Sequence, residues 1–203
     1  MPRLNNKSNL LVSERLVNGD LLAIVEQLHK FEFGEHNILT YPDYDSLREL
    51  YARHSKQRLT LSNEIVILLP HYLTPASIRY ALEELEIDVK KHELDQTLII
   101  ADAISTIFNP SSTDFLSYLK GLEGRARAKN KAGICVIADM GAFYHLRKIN
   151  ELVEYERSIP TKTDLKSTLL CAYHKRDFER LQKSERESIC RSHHRELVIK
   201  YDR

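Results

Sequence analysis

The stretch Gly133–Asp139, GICVIAD, decides the fold, and Thr97–Asp102, TLIIAD, follows the same pattern. Each is a short apolar run that ends on an aspartate. A continuous run of this length suits a strand covered on both faces, as in parallel sheets. An acid at its carboxyl end is how parallel α/β folds present a carboxylate to a ligand. In nucleotide hydrolases such an acid holds magnesium opposite a GxxxxGK[ST] loop. That loop is missing: none of the six glycines is followed by lysine and a hydroxyl residue.

Working outward, strands and helices alternate. Asn37–Tyr41 (NILTY) reads as a strand, followed by Pro42-Asp43 and a helix over about 44–55. Glu64–Leu69 (EIVILL) is a second continuous apolar strand. Thr74 then caps a helix that has Pro75 at its first position and reaches about Leu85. Ile87–Val89 suggests a minor strand. Ser111–Asp114 supply start signals for a helix ending near Lys129. A helix over about 146–157 carries Ile149, Leu152, Val153 and Glu156 on adjacent faces. Ser167–Tyr173 (STLLCAY) is a further strand, and Ser184 with Glu187 forms a capping-box pattern for a helix over about 185–193. Leu197–Lys200 closes the sheet as an edge strand. Upstream, apolar spacing from Asp20 onward is helical, with Asp20 as its cap. The alternation predicts a three-layer α/β domain, a mainly parallel sheet flanked by helices, over 34–203. Residues 1–33 read as an amphipathic helix or arm.

Composition narrows the function. A net charge of +1 advertises neither nucleic acid nor an anionic membrane surface. No apolar run approaches the ~20 residues of a membrane span, and the N-terminal MPRLNNKSNLL lacks the features of a signal peptide. Cys135, Cys171 and Cys190 form no CxxC pair, and the first two sit inside apolar runs. That pattern fits a reducing cytoplasm. Basic clusters such as Gly124–Lys131 are short and balanced by nearby acids, so direct nucleic-acid contact is not expected.

In a parallel sheet the strand ends gather on one edge. That edge would hold Tyr41, Asp43 and Tyr44, then His71 and Tyr72, Asp102, Asp139, and Tyr173 with His174. Tyrosines and aspartates around a crevice suit a small-molecule pocket; the plainer alternative is that the aspartates cap helices. Tyr41-Pro42-Asp43-Tyr44-Asp45 is hostile to a triphosphate, since its acids repel phosphate and Pro42 removes a backbone donor. Cys190 shares a helical face with His193 or His194, but without a second spaced pair no metal is expected. A Cys–His nucleophile would require Cys135 or Cys171 to leave its strand.

Read in order, these segments resemble the MEDS family, sensory domains named for methanogen and methylotroph proteins and a dichloromethane-responsive regulator. The resemblance is carried by His36–Tyr41 with Asp43, EIVILLP with TPASIRYALEELEIDV, TLIIADA, GICVIADMGAF, Glu154-Tyr155-Glu156, LLCAYHKRDF and His193-His194. It implies a degenerate RecA/KaiC-like fold without a Walker A loop, here as a single-domain member of archaeal type. It also implies a sensory or signalling role. The expectation is therefore a non-enzymatic cytoplasmic sensor with no cofactor, which binds a small molecule or a signalling protein at the carboxyl edge. Tyr41, Asp43, Tyr44, Asp102 and Asp139 would line the site, with Glu156 as a polar contributor. The alternatives are a RecA/KaiC-like nucleotide-binding protein or ATPase, and an interaction module that forms a homo-oligomer through its first helix.

Overall fold

The computed structural model describes residues 16–108 and 115–200. Seven strands form one sheet in the order β1-β7-β2-β6-β5-β3-β4, and every pairing is parallel. The strands are β1 Leu16–Gly19, β2 His36–Tyr41, β3 Ile65–Leu69, β4 Leu98–Ile100, β5 Ile134–Asp139, β6 Ser167–His174 and β7 Glu196–Ile199. β2, β3 and β5 are buried along their whole length, β3 as the continuous apolar run that such burial requires.

Period-two alternation divides the side chains between two helical layers. Leu39, Val66, Leu68, Ile137, Leu170 and Leu197 face one side. That side is covered by α1 Leu21–His29, α2 Tyr44–Thr60, α3 Pro75–Glu84 and α4 Val89–Leu94. Ile38, Ile67, Val136, Leu169, Cys171 and Tyr173 face the other. There lie α5 Ala103–Ile107, α6 Phe115–Ala128, α7 Gly141–His145, α8 Ile149–Ser158, α9 Lys175–Arg180 and α10 Lys183–Arg191. The three-layer α/β class follows.

Local signals place most helix starts. Asp20, Asp43, Thr74 and Asp102 each accept a bond from the backbone N–H three residues on. Other expectations shift. Ile87–Val89 is no strand: Asp88 caps α4 by accepting from Lys91 N. The capping box of α10 joins Gln182 and Glu185, so the helix begins two residues before the start that Ser184 and Glu187 suggest. The expected 146–157 helix is α8, which starts at Ile149, and the separate short helix α7 precedes it. Strand β7 lies between β1 and β2 rather than at the edge. β1, within the segment read as an arm, takes the edge position and pairs Leu16–Gly19 with Glu196–Ile199. The start signals at 111–114 lie outside the described residues.

One buried ion pair ties α1 and α2 to the segment that leads into β3. Arg58 Nη1 donates to Glu64 Oε1 at 2.9 Å and Nη2 to the Leu28 carbonyl at 2.7 Å. Burial pushes the Glu64 carboxyl up, and Arg58 offsets only part of that shift. Glu64→Ala leaves a guanidinium buried without its carboxylate and is expected to cost about 3–5 kcal/mol. The half-exposed Arg53–Glu49 pair is expected to contribute no more than about 1 kcal/mol. Urea unfolding of Glu64→Ala beside Glu49→Ala checks the contrast.

Candidate functional site

The carboxyl ends of β2, β3, β5 and β6 converge on Asp139. Its side chain is fully buried and accepts four bonds. Oδ2 takes the backbone N–H groups of Tyr72 at 3.0 Å and His71 at 3.3 Å. Oδ1 takes the N–H of Gly141 at 2.9 Å and the Tyr41 hydroxyl at 3.5 Å. A carboxylate offers about four lone-pair sites, so this one is saturated by its own chain. Gly141 is required here, since a Cβ at that position would collide with the Tyr72 ring.

Around this knot stands a cluster of rings. Tyr44 lies 5.2 Å from Tyr72 and 5.3 Å from His174 between centroids. Tyr41 meets His174 edge-on at 5.4 Å, and His71 sits 4.9 Å from Tyr72 and 5.2 Å from His145. The Tyr72 hydroxyl donates to Asp177, and His174 Nδ1 accepts from Arg176 N at 3.1 Å. Tyr44 is exposed, while His71, Tyr72 and His174 are partly so. Burial lowers the pKa of His71 and of His174, which favours neutral imidazoles. Burial, then the bond to Asp177, pushes Tyr72 up.

The expected site residues thus separate. Tyr41, Tyr44 and Asp139 come together, with Tyr41 and Asp139 forming the floor and Tyr44 the exposed rim. Asp43 caps α2 by accepting from Ser46 N at 2.7 Å. Its carboxylate therefore occupies the helix N-terminus where a phosphate would dock. Asp102 is exposed and caps α5 through Ser105 N at 2.8 Å. Glu156 lies elsewhere, on the buried face of α8 beneath the second layer.

There Glu156 meets residues that the sequence does not bring together. Its Oε2 is 3.4 Å from His36 Nε2, 3.3 Å from His193 Nε2 and 3.6 Å from Cys171 Sγ. The Tyr173 hydroxyl donates to Oε1. Burial alone would push Glu156 up, but His193 and His36 outweigh it and hold the carboxyl well below its usual range. Backbone bonds explain the meeting. His194 N donates to the His36 carbonyl at 2.6 Å, and Arg195 N to Asn37 Oδ1 at 3.1 Å. These bonds lay the His193 ring 4.0 Å from His36. Cys135 and Cys171 each approach a histidine (His54 and His36, both at 3.3 Å) without leaving their strands, contrary to the sequence expectation. His194 turns away to buried Glu35 at 3.2 Å, whereas His193 turns to Glu156. The available signal was Glu156 one turn from Leu152 on a buried helical face.

The sheet is all parallel, its strand-end carboxylate Asp139 is saturated, and the Asp43 carboxylate stands at the α2 N-terminus where a glycine-lysine loop would hold phosphate. A KaiC-like protein from the hyperthermophilic archaeon Pyrococcus horikoshii OT3 superposes with a TM-score of 0.52 at 15% identity. The match covers 79% of this chain and 69% of that one, and it establishes the fold. No curated protein matches the sequence. The family model described as MEthanogen/methylotroph, DcmR Sensory domain matches residues 35–194, and the chain belongs to this MEDS family. Membership supports a sensory or signalling role. Among the described residues no helix is long and apolar enough to cross a membrane.

Burial raises the Asp139 carboxyl to about 6, against the pull of Tyr72, Gly141 and His71 N–H and of the Tyr41 hydroxyl. The titratable side chains facing it are Tyr41, Tyr51, Tyr72 and His174. A carboxyl whose value rises on folding adds most stability below its unfolded value of 3.8. That contribution is lost as pH climbs through about 6. Asp139→Asn is expected to flatten the pH dependence of unfolding free energy between about pH 4 and 6. At pH 7 it should cost about 1–3 kcal/mol, because an amide NH₂ then faces backbone donors. Urea unfolding over a pH series reads both effects.

Proposed function

We propose that this chain is a non-catalytic sensory domain whose input is a small neutral or cationic molecule held at the carboxyl edge of the sheet. The observation that carries this reading is the ring cluster of Tyr44, Tyr72, His71 and His174 over the buried Tyr41–Asp139 floor. Rings at 5–6 Å with one exposed member offer faces on which a flat or apolar group can stack. Nearby Asp43 and Asp177 disfavour anions.

Saturation of Asp139 supports the absence of phosphoryl chemistry, since no lone pair is left to hold magnesium. Asp43 at the α2 N-terminus supports it again, because the anion position is filled from within. A ligand seated on the rings would touch residues that follow β2, β3 and β6 together. It could thus bias the β3–α3 connection that Asp139 anchors, and a signalling protein or second subunit would read that change.

The test is amide NMR of the labelled chain titrated with a panel of neutral aromatics, short alcohols and amines, with ATP–magnesium alongside. Shifts confined to 41–46, 70–73 and 173–177 are expected for at least one neutral or cationic compound. Tyr72→Ala should weaken that binding about tenfold through loss of a stacking face. Micromolar binding of ATP–magnesium at the same residues, or ligand shifts that avoid them, would overturn the reading.

A further inference from the structure

We propose that His36, Glu156, Cys171 and His193 bind one divalent cation of the zinc class, as a closed four-ligand site beneath the sheet. This proposal does not depend on the ligand at the carboxyl edge.

The first support is geometry. Zinc holds N, O and S donors at about 2.0–2.3 Å, so the edges of its ligand tetrahedron are about 3.3–3.6 Å. The edges here are 3.3 Å (His36 Nε2 to Cys171 Sγ), 3.4 Å (His36 Nε2 to Glu156 Oε2), 3.3 Å (His193 Nε2 to Glu156 Oε2) and 3.6 Å (Cys171 Sγ to Glu156 Oε2). All four donor atoms lie within 4.8 Å of one another, and all four residues are buried.

The second support is proton logic. His193 Nδ1 lies 2.7 Å from the Ile189 carbonyl, which can only accept. Nδ1 therefore carries a hydrogen, which leaves Nε2 as the ring atom that faces the carboxylate, 3.3 Å from Glu156 Oε2. His36 Nε2 approaches the same oxygen. Both imidazole nitrogens and the Cys171 sulfur thus converge on one carboxylate oxygen, the arrangement that a metal ion at the centre would serve at once.

Charge and orientation agree. Two neutral imidazoles, a carboxylate and a thiolate sum to −2 and neutralise a divalent cation in a place where net charge is costly. On binding, the Cys171 S–H bond breaks, its proton leaves to solvent and the sulfur electron pair goes to the metal. Burial, then the Glu156 charge, pushes the free thiol up; a bound cation reverses that preference. The Ile189 carbonyl on His193 and the Tyr173 hydroxyl on Glu156 orient the donors in the manner of a second coordination shell. A surface cavity of about 190 Å³ lined by Leu16, Cys190, His193 and His194 borders one of the four ligands. Filled, the site would clamp β2, α8, β6 and the turn before β7 with no coordination position left open.

The full chain is stripped with chelator and reloaded with zinc alone, then with cobalt(II) alone. One metal per chain by elemental mass spectrometry is expected, with zinc X-ray absorption showing one sulfur and three N/O neighbours. The cobalt form should show thiolate charge-transfer absorption that disappears in Cys171→Ser and persists in His194→Gln. Absorption spectroscopy on the unaltered chain keeps the test independent of whether any variant folds. Failure to retain zinc through gel filtration, a shell without sulfur, or a cobalt spectrum unchanged in a folded Cys171→Ser would each overturn the proposal. A failed NMR titration at the carboxyl edge would leave this result untouched, and the converse holds.

Discussion

The carboxyl edge of this domain depends on one carboxylate that has no bonding capacity to spare. Asp139 ends strand β5 and gathers the backbone N–H groups of His71, Tyr72 and Gly141 together with the Tyr41 hydroxyl. Two connecting segments and the end of β2, which lies beyond β6 in the sheet, are thereby fixed relative to one another. The residue at the carboxyl end of such a strand is where a nucleotide enzyme keeps its metal acid. Here the same position performs internal architecture, and the ring cluster above it rests on a rigid floor. Functional sites gain precision when their first layer is locked from beneath.

The Glu156 cluster follows a different logic. It sits on the far side of the sheet from Asp139, among residues drawn from β2, α8, β6 and the turn after α10. Burial penalises the charged forms of His36, Glu156 and Cys171, so the group persists through mutual compensation. Its donor atoms converge on the Glu156 carboxylate rather than on solvent. The two constellations divide the labour of the sheet: one faces outward with rings, and the other is sealed.

Much of the fold was legible because its signals are local. GICVIAD, EIVILL and STLLCAY are strands wherever they are placed, and Asp20, Asp43, Thr74 and Asp102 cap helices through bonds that span three residues. The misreadings arose where two local signals compete. Gln182–Glu185 and Ser184–Glu187 overlap within one hexapeptide, and Asp88 diverts Ile87–Val89 into a helix start. Strand order is set by contacts far apart in sequence, so β7 could not be placed from its own residues. The candidate site divides along the same line. Tyr41 and Asp139 were visible as strand ends, whereas His36 and Cys171 are 135 residues apart and share no spacing that periodicity could detect.

Strand β6 carries a mechanical consequence. Tyr173 points down to Glu156, and the next residue, His174, stands among the rings of the carboxyl edge. The two constellations are therefore adjacent beads on one rod. That rod is bonded on both flanks, to β2 from Leu169 to His174 and to β5 from Ser167 to Ala172. It cannot slide without breaking both ladders together. Traffic between the outer and inner faces must then pass through ring rotation and helix displacement, with β6 serving as the stationary frame against which such movements are measured.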